Sequence, residues 1–291
     1  MKKALSVLLV LSLVLVSGTI LGQQYDVPFV PTPYEVVTEM LKMADVNKND
    51  VLYDLGCGDG RIVIMAAEKI GCRGVGVDIN PVRIEESTEN AVKAKVTDRV
   101  RFIEQNLFDV DISEATVVTL YLLSNVNLKL RPKLLRDLRP GTRVVSHNYS
   151  MGEWEPEKST ELAAGWDNHS VFFWIVPANV SGKWEWMMPS GKEQKHCVLT
   201  FNQYFQNVMG IARVDGEEVS LRDVKLTGDK LQFTMDQNVD GKTVSMYFEG
   251  TANDNALNGT AVTVTGANKN NITWNAKRDP STKTRLDSSE P

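Results

Sequence analysis

The sequence of 291 residues predicts an α/β unit followed by an all-β unit. Residues 25–180 alternate short β-branched, apolar runs with amphipathic stretches, which is typical of strands and helices around a mostly parallel sheet. Residues 181–278 carry short alternating strands that are broken by Gly, Asn and Asp. The length also fits two domains better than one, since a single domain has about 150 residues.

The elements of the first unit follow from spacing and capping signals. Apolar residues recur at helical spacing over 33–44, and Asn80 followed by Pro81 is typical of a capped helix start. Helices are therefore predicted at 33–44, 61–70, 81–94 and 132–138, and strands at 51–55, 74–79, 99–105, 115–123, 142–149 and 169–178.

The second unit reads as a meander of about eight strands joined by hairpins, which predicts a small up-and-down barrel or a sandwich. Gly182, Trp184 and Arg278 resemble the Gly-X-Trp motif and closing arginine of lipocalin and avidin-like barrels. Ligand binding, substrate recognition and support of the first unit are all open as roles, and we favour binding or interaction. The polar tail, residues 279–291, is expected to be disordered.

The N-terminus resembles an export signal. Residues 1–22 contain two lysines, an apolar run over 4–16 and small residues at 17–19, which predicts a cleaved signal peptide. An uncleaved anchor is the alternative, since the apolar stretch extends to Leu21. We therefore expect a protein that is exported to the periplasm or outside the cell, or is anchored by this segment, with no other membrane contact.

The charge balance argues against a general nucleic-acid binder. The net charge is −5 and the isoelectric point about 5.4, whereas such a protein needs a basic face to neutralise phosphates. One basic cluster lies near the predicted fourth helix, where it forms either a solvated helix face or a docking patch for an acidic substrate. It comprises Lys129, Arg131, Lys133, Arg136, Arg139 and Arg143.

The most informative residues are DLGCGDGR at positions 54–61, where the first strand meets its helix. Glycines there let a ligand approach the backbone at the carboxyl end of a strand. The loop lacks the Gly-Lys-Ser/Thr of a Walker phosphate loop, and Arg61 stands where a dinucleotide fingerprint has its third glycine. Asp54 and Asp59 would repel a pyrophosphate but suit a cationic ligand.

This loop resembles motif I of the class I S-adenosylmethionine (SAM) dependent methyltransferases, whose cofactor carries a sulfonium and an ammonium. The resemblance implies a Rossmann-like fold, with Asp78 accepting hydrogen bonds from the ribose hydroxyls. Asn106 stands where the family more often has an acidic residue that contacts the adenine. The cofactor-binding residues expected are Thr32, Asp54, Gly56, Gly58, Asp59, Gly60, Asp78 and Asn106.

A narrower resemblance extends over about residues 25–160. The FVPTP sequence at 29–33, with the motif at 54–67, is similar to bacterial methyltransferases related to the mitochondrial protein-lysine methyltransferases. It implies methyl transfer to a protein lysine, with Thr32 near the methionine end of the cofactor. The alternative for the Pro-Thr-Pro sequence is a plain turn before a helix.

In this fold the methyl acceptor lies beyond the fourth and fifth strands, so Tyr121, Asn125 and His147 are the candidate catalytic residues. Ordinary packing at strand ends is the alternative for each of them. No metal is expected, because the three histidines have no metal-ligand spacing. The fourth strand also lacks the Asn/Asp-Pro-Pro-aromatic motif of DNA amino-methylating enzymes. The alternatives to lysine methylation are methylation of a small molecule or lipid, and a non-catalytic SAM-fold binding module.

Overall fold

The computed structural model describes residues 28–190, 193–239, 242–265 and 268–287. The export signal or anchor expected at 1–22 lies outside the described residues. Within the described part of the chain, no helix is long and apolar enough to span a bilayer.

The first unit is a seven-stranded mixed sheet with helices on its faces. Its elements are α1 (Tyr34–Met43), β1 (Val51–Leu55), α2 (Arg61–Lys69), β2 (Arg73–Asp78), α3 (Pro81–Ala94), β3 (Val100–Glu104), β4 (Val117–Leu120), α4 (Ser124–Asp137), β5 (Arg143–His147), β6 (Lys158–Ala164) and β7 (Asp167–Ile175).

The strand order is β3-β2-β1-β4-β5-β7-β6, in which the first five strands are parallel, β7 is antiparallel to β5, and β6 is antiparallel to β7. The central strand β1 is buried at every position, as its apolar sequence VLYDL requires. The order reverses between β1 and β4, and ligands bind at such a switch point, beyond the carboxyl ends of the strands.

Two elements of this unit differ from the sequence prediction. Helix α4 begins at Ser124, well before the predicted start at 132, and it continues through Pro132. Val126, Leu130 and Leu134 keep one face of it buried on both sides of the proline, and this packing outweighs the lost backbone hydrogen bond. Strand β6 is absent from the sequence prediction, because its sequence KSTELAA is polar and mostly exposed. Pairing with β7 is what makes it a strand.

The second unit is a closed eight-stranded antiparallel barrel. Of the two folds that the sequence predicts, the barrel is therefore the correct one and the sandwich is not. Its strands are β8 (Gly182–Ser190), β9 (Glu193–Tyr204), β10 (Asn207–Val214), β11 (Glu217–Thr227), β12 (Lys230–Val239), β13 (Lys242–Asn253), β14 (Ala256–Thr265) and β15 (Asn268–Arg278). Consecutive strands pair as hairpins, and β15 pairs with β8 to close the ring.

Aromatic side chains pack across the barrel interior. The rings of Phe233 and Phe248 stack with centroids 4.7 Å apart, and both meet the edge of Trp274. At one end, the buried guanidinium of Arg278 lies 4.7 Å from the ring of Trp184 and donates to the carbonyl of Ser181. The residues that resembled a lipocalin-type closure thus do meet in space.

Residues 279–287 pack against the barrel, in contrast to the disorder expected from 279 onward. A short 3-10 helix, Pro280–Thr282, lies beside Gly182, whose φ of +98° and lack of a Cβ let the two backbones approach. Further on, the carbonyl of Leu286 accepts a hydrogen bond from the backbone N–H of Phe205. Residues 288–291 lie outside the described part of the chain.

The barrel is joined to the α/β unit through the turn between β9 and β10. The side chain of Phe205 in this turn is buried in the α/β unit's core, where its ring stacks on Trp154 at 6.1 Å. The guanidinium of Arg131, on α4, lies 5.0 Å from the ring centroid of Phe205. Phe205 adopts a φ of +51°, a conformation that costs a side-chain-bearing residue about 1–2 kcal/mol. The burial of its ring offsets this cost.

We expect Phe205→Ala to lower the free energy of unfolding by about 3–5 kcal/mol, because it opens a cavity at the junction and leaves the strained backbone uncompensated. Urea denaturation of the full chain measures this change. Met209→Ala, at an exposed position on the same hairpin, should change stability by less than about 0.5 kcal/mol. Equal effects of the two substitutions would contradict a stabilising role for the Phe205 contact.

Candidate active site

A glycine-rich loop connects β1 to α2 at the switch point of the sheet. Gly56, Gly58 and Gly60 have φ values of +85°, +52° and +77°, which favour glycine over any other residue. A Cβ on Gly58 would lie 2.4 Å from the ring of Phe29, so this glycine is also required by packing. The N–H groups of Gly56 and Cys57 both donate to the carbonyl of Val77, which ties the loop to β2.

A cavity of about 430 Å³ opens over this loop, a volume in the range of small-molecule sites. Seven of the eight predicted cofactor residues line it: Thr32, Asp54, Gly56, Gly58, Asp59, Asp78 and Asn106. Gly60 does not line it and instead occupies the N-cap position of α2. Tyr121 is the one predicted catalytic residue on its wall.

Asp78 fastens the end of β2 to both neighbouring loops. Its Oδ2 accepts from the N–H of Gly58 and its Oδ1 from the N–H of Asn80, both at 2.9 Å. A carboxylate oxygen has a second lone pair, so each can accept one further hydrogen bond from a ligand hydroxyl. The position therefore suits the ribose contact that the sequence resemblance implies.

Asp54 is a buried carboxylic acid at the floor of the cavity. Its Oδ1 accepts a hydrogen bond from the hydroxyl of Thr119 at 2.8 Å. Burial, together with the nearby charges of Asp78 and Asp59, raises the pKa of Asp54 to about 7 despite that hydrogen bond. A cationic ligand would favour the ionised form of Asp54, because its positive charge attracts the negatively charged carboxylate.

Asp59 lines the cavity, and its carboxylate is also bound by a neighbouring arginine. The guanidinium of Arg61 binds both of its carboxylate oxygens, with Nε 2.9 Å from Oδ1 and Nη2 2.5 Å from Oδ2. A third donor, Nη1 of Arg61, reaches the carbonyl of Thr32 at 3.0 Å. Asp59 thus orients Arg61, which holds the 31–33 segment across the cavity, whereas Asp54 and Asp78 form no ion pair within the described part of the chain.

Asn106 lies on the far wall, after β3, beside Leu107 and Phe108. Its Oδ1 accepts from the N–H of Phe108 at 3.0 Å, so the amide oxygen is already engaged locally. The apolar neighbours make this end of the cavity suitable for a flat ring.

A column of three polar side chains runs beneath the 31–33 segment. Thr32 Oγ1 lies 3.2 Å from Nδ1 of His147, whose Nε2 lies 2.8 Å from Nδ1 of His169. The carbonyl of Ala164 lies 3.2 Å from Nε2 of His169 and can only accept. Hence His169 donates to Ala164, His147 donates to His169, and Thr32 donates to His147.

His147 is fully buried, and the ring of Tyr121 lies over it with centroids 3.8 Å apart. Desolvation, with some repulsion from His169, lowers the pKa of His147 to about 4, so it is neutral at physiological pH. His147 does not line the cofactor cavity. It supports Thr32 and Tyr121 from below, and we assign it positioning rather than contact with the reacting atoms.

Asn125 lies on the exposed surface of the first turn of α4 and does not line the cavity.

Sequence reasoning misses His169, because 22 residues separate it from His147 and no motif links them. The antiparallel pairing of β5 with β7 brings the two histidines together. The place of His169 at the start of an apolar strand is the only available signal.

A family model described as the ANTKMT methyltransferase domain matches residues 54–158. A protein-lysine N-methyltransferase of Saccharolobus islandicus is 50% identical over 151 residues, which make up 52% of this chain and 94% of that protein. The chain belongs to this methyltransferase family.

Two further relatives extend the comparison. The methyltransferase is 30% identical over 132 residues to the adenine nucleotide translocase lysine N-methyltransferase of Mus musculus, and the match spans 45% of this chain and 57% of that protein. It is 52% identical to a crystal structure described as an RNA methyltransferase from Salinibacter ruber in complex with S-adenosyl-L-homocysteine. That match covers 52% of this chain and 96% of the other, with a TM-score of 0.50.

The enzyme is therefore a SAM-dependent methyltransferase, and its cavity fits that cofactor. Asp54 and Asp78 match its positive charges and hydroxyls, while the glycines leave the backbone open to it. When bound, SAM supplies a methyl group on a positively charged sulfur.

We expect SAM affinity to fall about five- to tenfold between pH 7.5 and pH 6, because the pKa of Asp54 lies near 7 and the protonated acid does not attract a cation. Isothermal titration at both pH values measures this. Asp54→Asn should bind SAM more weakly with little pH dependence, whereas Glu217→Gln, on the barrel, should behave as wild type. A pH-independent affinity of the wild type would contradict the role of Asp54.

The buried His147 should make the fold sensitive to acid. Its folded pKa of about 4 lies below the ordinary 6.5, so below pH 6.5 the unfolded chain takes up a proton that the folded chain does not. This costs about 2 kcal/mol at pH 5. Asp54 acts in the opposite sense, because its raised pKa lets the folded state gain a proton as pH falls.

The two effects are separated by a variant. Relative to His147→Gln, the wild type should lose about 2 kcal/mol of stability between pH 7 and pH 5, because only the wild type carries this titrating imidazole. Urea unfolding of both proteins at the two pH values gives the difference. A constant gap between them would show that His147 titrates normally in the folded state.

Proposed function

We propose that this enzyme transfers the methyl group of SAM to the ε-amino group of lysine in proteins. The observation that carries the proposal is the 50% identity to a protein-lysine N-methyltransferase over 94% of that protein's length. A family model whose description is the ANTKMT methyltransferase domain supports it, as does the mouse relative, which is also named a lysine N-methyltransferase.

The chemistry places modest demands on the site. The lone pair of a neutral lysine amine attacks the methyl carbon as the carbon–sulfur bond breaks, which leaves a neutral thioether and a methylated ammonium. One proton is lost from the nitrogen to solvent in each round. In-line transfer depends chiefly on placing the two reactants about 3 Å apart and excluding water, so the protein's main task is to hold them in position.

Tyr121 and the 31–33 segment are suited to this task. Both border the cofactor cavity, and both rest on the buried His147, which is kept neutral and away from solvent. The methyl acceptor would therefore meet a wall whose position is fixed by packing and hydrogen bonds. No proton has to be moved by His147 in this scheme.

RNA is the second candidate acceptor, because the Salinibacter ruber structure is described as an RNA methyltransferase. The basic cluster predicted near α4 gives this little support. Lys133 and Arg136 pair with Asp137, Arg143 pairs with Asp50, and Arg131 donates to the carbonyl of Met151. Four of the six cations thus form ion pairs or hydrogen bonds within the protein. This favours an ordinary helix face over a surface that binds phosphates.

The acceptor can be identified with methyl-labelled SAM, the full chain and a cell extract. We expect label that resists RNase and organic extraction, is released by protease, and co-migrates with methyl-lysine after acid hydrolysis. Asp78→Ala should abolish the transfer by removing the ribose contact, and Glu217→Gln should not. Label in RNase-sensitive material or in the lipid phase would overturn lysine as the acceptor.

A further inference from the structure

A second cleft lies on the other side of the 31–33 segment from the cofactor cavity. It encloses about 500 Å³ between that segment and the hairpin of β6 and β7. Its walls include Pro31, Tyr121, Asn148, Trp166, Asp167 and His169. Pro31 and Tyr121 also line the cofactor cavity, so the two spaces adjoin each other at these residues.

The tip of the hairpin presents an aromatic ring to solvent. Ala164 pairs with Asp167, which leaves Gly165 and Trp166 as a two-residue turn with Gly165 at φ +66°. A glycine at the first position is what the tight hairpin turn of type II′ requires. Trp166 is fully exposed, at 103% of its reference area, whereas the other five tryptophans are at most 5% exposed. This tight turn thus holds the indole ring out of the protein core.

The next residue adds a negative charge at the same place. Asp167 is exposed, and no cation in the described part of the chain forms an ion pair with it. Tyr121 lies across the cleft from this carboxylate. Burial is the main cause that raises the pKa of Tyr121, and the negative charge of Asp167 raises it further. Asn148, with a φ of +60°, accepts a hydrogen bond from the backbone N–H of Ser170 and holds the cleft wall to β7.

An aromatic face beside an unpaired carboxylate is the combination that binds a flexible organic cation, through cation–π attraction and charge. The long methylenes of a lysine can pack on an indole while the ammonium stays near a carboxylate. An anionic ligand such as a nucleic acid would be repelled by Asp167.

We propose that Trp166 and Asp167 capture the side chain of the substrate lysine and guide it along this cleft toward Tyr121 and the cofactor cavity. This inference rests on the proposed lysine methylation and names the residues that select the acceptor. Both residues act on recognition before the methyl transfer, so their loss raises KM for the acceptor and leaves kcat and SAM affinity nearly unchanged.

The first test is kinetic, with poly-L-lysine and methyl-labelled SAM. Trp166→Ala and Asp167→Asn should each raise KM about three- to tenfold, and Trp166→Phe should restore most of the loss because it keeps an aromatic face. The effect of Asp167→Asn should shrink at high salt. Glu161→Gln, on β6, and Tyr247→Ala, on the barrel, are matched exposed controls that should leave KM unchanged.

The second test is binding without turnover. Because Trp166 is the one exposed tryptophan of the six, acrylamide quenching of intrinsic fluorescence reports on it selectively. Poly-L-lysine should shield this fluorescence, poly-L-glutamate should not, and Trp166→Phe should lose the quenchable component. SAM titration of each variant confirms that the cofactor cavity is intact.

The outcomes separate the two proposals. Methyl-lysine formation by the wild type, with unaltered KM in both variants and no shielding of Trp166, would overturn the cleft assignment while lysine methylation stands. Failure of the wild type to label lysine at all, in poly-L-lysine and in extract protein, would overturn lysine methylation and this inference with it.

Discussion

The position of the 31–33 segment depends on one guanidinium. The guanidinium of Arg61 donates two hydrogen bonds to Asp59 and a third to the carbonyl of Thr32. These bonds connect the glycine loop, the start of α2 and the 31–33 segment. From the other side, the hydroxyl of Thr32 is held by the buried His147. The 31–33 segment, which borders both the cofactor cavity and the cleft beside the β6–β7 hairpin, is thus held at both its main-chain and its side-chain atoms. The loop motif therefore helps to position the border of both the cofactor cavity and the cleft beside the β6–β7 hairpin.

The barrel contributes to this arrangement through contact with the α/β unit. Its interior is occupied by stacked and edge-to-face aromatic rings, and its β9–β10 turn inserts Phe205 between Trp154 and Arg131. Two hydrogen bonds flank this contact, from Tyr204 to the carboxylate of Glu153 and from Gln206 to the carbonyl of Glu155. These contacts favour support of the first unit, which is one of the three roles that the sequence left open for the barrel.

Sequence patterns predicted the parts of the molecule that local rules control. The buried β1, the capped α3 and the glycine loop follow from burial, capping and φ preferences within a few residues. The missed parts depend on partners distant in sequence. The polar strand β6 exists through pairing with β7, and His169 gains its role only beside His147. Trp166 is exposed because it lies in the Gly165–Trp166 turn, and the sequence prediction contained no β6–β7 hairpin in which to place that turn.

The ordered C-terminal segment also constrains how the chain acquires its structure during synthesis. The N–H of Phe205 is satisfied by the carbonyl of Leu286, so the junction is completed by a residue that follows all eight barrel strands. The α/β unit leaves the ribosome first, as N-terminal units generally do. Trp154 and Arg131 then remain without their barrel partner until β9 and the turn that carries Phe205 have been translated. The nascent enzyme thus passes through a stage in which this aromatic site of the first unit lacks its cover.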